Sequence, residues 1–127
     1  MTLPVSALAS TVDEQETTVR RVEGRLRAAS ARLGSDVSAT DVRAAQQAIG
    51  DAEQALGHLV HDPWEPSVVP LRRAREILSS HLLAASVCEG ADVAPPVTAR
   101  VLRRGADSAR QVLARHGRPL GSDDPEV

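Results

Sequence analysis

The 127-residue chain contains no lysine, tyrosine or phenylalanine, and it has one cysteine and one tryptophan. Because all 15 basic residues are arginine, in a chain rich in alanine and valine, the missing lysine indicates the coding bias of a GC-rich genome. A core without aromatic rings is filled by Leu, Val, Ile and Ala, which bury less apolar area per residue. Stability then requires close contact between elements or burial against a partner. The single ring, Trp64, lies between prolines and is expected to cover one end of the fold.

Further absences exclude several classes of protein. The single Cys88 excludes an internal disulfide framework, which agrees with a reducing compartment. No apolar run approaches the roughly 18 residues of a membrane span, and the first residues carry no export signal. We therefore expect a cytoplasmic protein that does not enter a membrane. The net charge of −2 and the lack of aromatic platforms also make nucleic acid an unfavourable partner.

Apolar residues recur every three or four positions along most of the chain, which predicts helices packed side by side. In the first segment the pattern runs from Val5 to Leu33 and ends at Gly34. Its start stays open, because either residues 3–11 continue the helix or a short piece precedes a helix capped by Thr11. The longer version extends this helix beyond its neighbours by roughly 10 Å.

Three further helices are predicted, and glycine and proline residues separate them. The third has the broadest apolar face, so we expect it to lie more centrally than its neighbours. The predicted helices run from Ser38 or Thr40 to Asp62, from a cap at Ser67 to Gly90, and from Asp92 or Pro95 to His116.

Four helices with short connections predict an all-α fold, namely an antiparallel up-down four-helix bundle with a long N-terminal helix. In this prediction residues 1–118 form a single helical domain. Residues 119–127 are acidic and lack apolar periodicity, so we expect them to form a disordered tail.

One string of residues approaches the spacing of a metal site. If the leucines of the second helix occupy its a and d positions, both histidines of the string face solvent and no other helix supplies ligands. Exposed histidines also suit the end of a helix, where imidazolium complements the dipole. We therefore expect neither a metal nor another cofactor, and the metal candidates are His58, His61, Asp62 and Glu65.

No catalytic residue is predicted. His81 and Cys88 lie two helical turns apart, about 10 Å, which exceeds the reach of a nucleophile and its base. His81 is expected to be partly buried and bonded to a neighbouring helix, and Cys88 to behave as a small hydrophobe. The chain also lacks a phosphate-binding loop and a nucleophile elbow, so enzymatic activity is not favoured.

Charge is segregated along the chain. Residues 36–65 carry six acidic side chains and one arginine, whereas residues 97–118 carry six arginines and one aspartate. This pattern predicts docking of the fourth helix against an acidic protein surface, which the second helix of another copy supplies. The arginines expected to project from one side of the fourth helix are Arg100, Arg103, Arg104 and Arg110.

The N-terminal stretch offers a second surface. Val5, Leu8 and Val12 continue the heptad pattern, and an overhanging helix with such a stripe requires a partner. Gln15 follows at a d position, where it either fixes the register of packing or marks the point at which the helix leaves the bundle.

These patterns predict a helical protein-interaction module, an adaptor, regulatory or assembly subunit that binds a protein partner or forms a homo-oligomer. The alternative is a bundle that binds a small ligand or a metal between its helices, as an enzyme or an accessory protein. An enclosed cavity bordered by His81 favours this alternative, and a solid interior argues against it.

Overall fold

The computed structural model describes residues 5–34, 36–60 and 68–115, with side chains from Glu14 onward. These residues form four helices and no strand, so the described part of the chain is all-helical, as predicted. None of the described helices combines the length and the hydropathy that a bilayer crossing requires. The helices are α1 (Val5–Arg32), α2 (Ala39–Leu59), α3 (Val69–Gly90) and α4 (Pro95–Ala114).

Several predicted features lie outside the described residues, and their predictions stand as they were made. They are the position of Trp64 and the tail at 119–127. Two predicted helix bounds are corrected, because the N-cap of α3 is Val68 rather than Ser67, and α4 ends at Ala114, two residues before His116.

A capping box begins α2. The Ser38 hydroxyl accepts a hydrogen bond from the Asp41 backbone N–H at 3.2 Å, and the Asp41 carboxylate accepts one from the Ser38 backbone N–H at 3.2 Å. These bonds satisfy N–H groups that have no acceptor within the helix. Because the Ser38 backbone and side chain both favour the ionised carboxylate, the pKa of Asp41 lies below its ordinary value. Of the two predicted starts, Ser38 is the cap and Thr40 lies inside the helix.

Proline, rather than a capping side chain, marks the starts of α3 and α4. Pro70 lies in the first turn of α3 and two prolines open α4, positions at which the missing N–H has no helical acceptor anyway. The N-cap residues are Val68 and Ala94, and neither makes a side-chain capping bond. The alternative start at Asp92 is wrong, because Asp92 lies in the α3–α4 turn with a φ of 58°.

The core consists of one apolar stripe from each helix. The predicted stripe of α1 is confirmed from Val19 to Leu33, where its apolar positions at spacings of three and four are buried. The stripe of α2 is confirmed in the same way from Val42 to Leu56. Gln15 is half-buried, and Val19 is the first fully buried side chain among those described. The stripes of α3 and α4 contribute Val68, Leu71, Ala74, Leu78, Ala85, Thr98, Ala99, Leu102, Gly105, Ala106, Ala109 and Leu113.

The expectation that the third helix lies most centrally is wrong. Helices α2 and α4 each contact all three other helices, whereas the contacts of α3 are mainly with α2 and α4. The buried stripe of α4 contains three alanines and a glycine, and such small side chains allow its backbone to approach the neighbouring helices closely. By contrast, Leu83 and Val87 of α3 are exposed to solvent.

Two long arginine side chains join α1 to α4. The Arg20 guanidinium donates to the Leu113 carbonyl at 3.3 Å, and that of Arg103 donates to the Leu33 carbonyl at 3.4 Å. Residue numbers therefore rise along α1 as they fall along α4. Both bonds also satisfy carbonyl groups near a helix C-terminus, where no N–H of the same helix is available.

Candidate functional site

The outer face of α3 carries exposed apolar side chains and no charge. We define this α3 outer face by Ser80, Leu83, Ala84 and Val87, all of which are exposed. Leu83 is 68% exposed and Val87 is 66% exposed, more than the other exposed large hydrophobic side chains of the described residues. Single exposed apolar residues are common, but two neighbours on an uncharged helix face are typical of a contact surface.

The sequence of α3 forces this exposure. Leu78 is buried, and five further positions rotate Leu83 by about 140° around a helix of 3.6 residues per turn. Leu82 is half-buried and packs against the core, so its neighbour Leu83 points away from it. The inward stripe predicted for this helix leaves out Leu83 and Val87, and their shared outward face was not recognised as a surface. Adjacent leucines were the available signal, since the two side chains project about 100° apart.

The edge of α3 that faces α2 carries opposite charges at its two ends. Near its start, Arg75 donates to the Glu53 carboxylate at 3.2 Å, and Ser79 donates to the same oxygen at 2.8 Å. Near its end, the Glu89 carboxylate accepts a hydrogen bond from Gln46 at 3.1 Å. The α3 outer face therefore lies between a start of the helix that carries Arg75 and the exposed Glu76 and an end that carries Glu89.

Two of the predicted interaction arginines have partners within the bundle. Arg103 donates to the Leu33 carbonyl just after the end of α1. Arg110 lies 3.5 Å from the Asp107 carboxylate of its own helix, which also accepts a hydrogen bond from the Ser30 hydroxyl of α1 at 2.8 Å. Their place on an interaction surface remains a prediction.

The other predicted interaction residues fall into two groups. Arg100 and Arg104 are exposed on α4 and have no ion-pair partner among the described residues. Val5, Leu8 and Val12 lie within the bounds of α1, but their side chains are outside the described part of the structure.

Only one of the four metal candidates lies in the part of the chain that the structure describes. His58 is exposed in the last turn of α2, and His61, Asp62 and Glu65 lie outside the described ranges. Within those ranges, no group of three or more His, Cys, Asp or Glu side chains is placed to hold a metal ion.

His81 lies half-buried where α3 crosses α4. Its Nδ1 is 2.9 Å from the Ile77 carbonyl of the same helix, so the prediction of a bond to a neighbouring helix is wrong. Contact with the neighbour is steric, because a Cβ at Gly105 would lie 2.6 Å from the His81 Cβ. A glycine is therefore required where these two helices meet. Cys88 is a half-buried free thiol.

A groove between α3 and α4 begins beside His81. Its cavity of about 340 Å³ is open to solvent rather than enclosed, and a second cavity of about 390 Å³ adjoins it. The two share three lining residues, and neither has an acidic side chain in its wall. We define the α3–α4 groove by the residues of both cavities, namely Val69, Pro70, Arg73, Ile77, His81, Ser108, Gln111, Val112 and Arg115.

No protein family, curated protein or solved structure matches the chain.

Proposed function

We propose that the chain is a helical protein-interaction module that associates with a second copy of itself through the α3 outer face. The exposure of Leu83 and Val87 carries this proposal. Complete burial of such a side chain is worth about 1.5–3 kcal/mol, so covering both provides a driving force for association. The absence of charge between Glu76 and Glu89 means that no ionised group is desolvated on this face.

An antiparallel pairing of two α3 helices covers the apolar side chains of both copies. A twofold axis at Leu83 places this residue against its own copy, and Ser80 of each protomer against Val87 of the other. Along α3, Arg75 lies about 12 Å before Leu83 and Glu89 about 9 Å after it. Arg75 of each helix therefore approaches Glu89 of the other, although Arg75 is also paired with Glu53 and has the exposed Glu76 beside it.

The proposal includes the arrangement of the four helices as an antiparallel up-down bundle with a long N-terminal helix. Contacts between α1 and α2, α2 and α3, α3 and α4, and α1 and α4 support this order. In such a bundle α3 has one face on the core and one face outward, available to a partner. Val5, Leu8 and Val12 belong to the proposal as a second apolar contact at the N-terminal end of α1.

The self-association is expected to be weak and reversible. Only two large apolar side chains per copy lie on the α3 outer face, which corresponds to the small interfaces of transient complexes. A module of this kind suits an adaptor, regulatory or assembly subunit, in which association follows local concentration.

Sedimentation velocity tests the proposal over protein concentrations from about 10 µM to about 1 mM. The wild-type protein is expected to shift from monomer to dimer in this range, and Leu83→Glu is expected to remain monomeric. Val97→Glu is the matched control, because Val97 is also an exposed helical valine and receives the same charge. It should dimerise like the wild type.

Circular dichroism of all three proteins verifies that the substitutions leave the helices intact. A wild-type protein that stays monomeric at the highest concentration would contradict the proposal. So would a folded Leu83→Glu variant that dimerises as strongly as the wild type.

A further inference from the structure

The α3–α4 groove differs in chemistry along its length. At the end near the start of α3, its wall is made by Val69, Pro70 and Val112, which are apolar. Further along, His81 and two polar side chains of α4 line the wall. Arg73 and Arg115, together with Val112, line both cavities and so lie where the two parts meet. A ligand that fills the groove meets an apolar surface, then two cations, then hydrogen-bonding groups.

The two groove arginines carry no ion pair among the described residues, a state that they share with exposed arginines such as Arg100 and Arg104, and they are distinguished by lining the groove together. Arg75 and Arg110, by contrast, each have a carboxylate within 4 Å, at Glu53 and Asp107 respectively. Arg73 and Arg115 are exposed, and no carboxylate of the described residues lies within that distance of either. Their positive charge is therefore not neutralised within the described part of the chain, and planar guanidinium groups match carboxylate and phosphate oxygens.

The polar wall presents further groups beside the two arginines. His81 lines this wall, and its Nδ1 is occupied by the Ile77 carbonyl of the same helix at 2.9 Å. Ser108 and Gln111 follow on α4 at a spacing of three, which places a hydroxyl and an amide on the same side of the helix.

We infer that the α3–α4 groove binds an amphipathic organic anion. Its carboxylate or phosphate monoester lies between Arg73 and Arg115, and its aliphatic body lies against Val69, Pro70 and Val112. Both headgroups share the oxyanion that guanidinium recognises. The aliphatic body suits the apolar cavity that adjoins the charged one. This site is separate from the α3 outer face and does not depend on self-association.

Amide chemical shifts in ¹H–¹⁵N spectra test the inference, with octanoate, octyl phosphate and octanol each added up to about 5 mM in phosphate-free buffer. Octanoate, octyl phosphate or both should shift the amides of Ser108 and Val112, and the tighter-binding anion identifies the headgroup. Octanol has the same aliphatic body without charge and should bind at least about tenfold more weakly.

Two double variants assign the binding to the groove. Arg73→Gln with Arg115→Gln should weaken the anion by about tenfold or more, since both guanidinium groups are lost. Arg100→Gln with Arg104→Gln removes the same charge from exposed positions of α4 outside the groove and should leave the affinity unchanged.

Three results would overturn the inference. They are the absence of any shift at the groove amides with either anion, octanol binding as tight as that of the anions, and equal weakening by the two double variants. The same titration of Leu83→Glu separates this inference from the proposed dimer, because a monomeric variant should still bind the anion.

Discussion

At the scale of single residues, the contact between Gly105 and His81 fixes how closely α3 and α4 approach. A methyl group at Gly105 would lie 2.6 Å from the His81 Cβ, which rigid helices do not accommodate. Gly105→Ala is therefore expected to lower the free energy of unfolding by about 1–3 kcal/mol, in spite of the better helix propensity of alanine. Urea denaturation followed by circular dichroism measures the change.

Gly24→Ala and Gly50→Ala are controls for this prediction. Both glycines lie inside helices, and an added Cβ at either would meet no heavy atom within 4 Å. Each substitution should stabilise the protein by about 0.5–1 kcal/mol through helix propensity alone. If Gly105→Ala stabilised the protein as these two do, the close contact with His81 would be contradicted.

Single residues also show where the sequence was insufficient. The half-burial of His81 could be predicted from its place beside an apolar stripe. The carbonyl that its ring contacts could not, because a histidine in a helix can reach a carbonyl of the preceding turn of the same helix as well as a group on a neighbouring helix. The α3–α4 groove was not predictable either. Arg73 and Arg115 are 42 positions apart in the chain, and only the packing of α3 on α4 brings them to one cavity.

At the scale of elements, the two faces of α3 should respond differently to truncation. Leu78→Ala removes a fully buried side chain and is expected to cost about 2–5 kcal/mol, including the cavity it leaves. Leu83→Ala removes an exposed one and should change the stability by less than about 0.5 kcal/mol. Both are measured by urea denaturation at a dilution where the wild type is monomeric. Equal losses would show that Leu83 is part of the core.

The start of α2 gives a prediction that depends on pH. Ser38→Ala should cost about 1 kcal/mol at pH 7, the usual contribution of an N-cap. The pKa of Asp41 is lower in the folded protein than its ordinary value of 3.8, so its stabilising effect is complete above that value. As pH falls through the folded pKa, the carboxylate is protonated and the effect is lost.

Asp41→Ala tests this dependence directly. The wild type should be the more stable of the two proteins at pH 7, and the difference should shrink steadily below about pH 4. A difference in unfolding free energy that stays constant from pH 7 to pH 3 would exclude the ionised capping box.

Among the elements, α1 and α2 were the most predictable. Their apolar residues follow one stripe with polar residues between them, so the period defines both the helix and its inward face. In α3 the residues from Ile77 to Cys88 are apolar, small or uncharged on every side. The spacing of three and four still places Leu78 and Leu82 on the inward stripe and leaves Leu83 outside it, and their burial in the structure agrees.

At the scale of the whole molecule, part of the charge segregation is satisfied within the chain. Glu53 of the acidic second helix pairs with Arg75 of α3 inside one copy, whereas docking of the α4 arginines on an acidic surface remains a prediction. This pair lies beside the α3 outer face rather than on it. What is left for a partner is an apolar face with charged ends, and this arrangement defines the proposed antiparallel dimer.

Disulfide cross-linking measures this geometry most directly, because Cys88 is the only cysteine and Cys88→Ser gives a cysteine-free background. In that background Leu83→Cys lies on the proposed twofold axis, which brings the two thiols within reach of a disulfide. Under mild oxidation it should form covalent dimers, and Val97→Cys, exposed on α4 away from the proposed interface, should form none. Absence of the Leu83→Cys dimer, or equal cross-linking at both positions, would contradict self-association through α3.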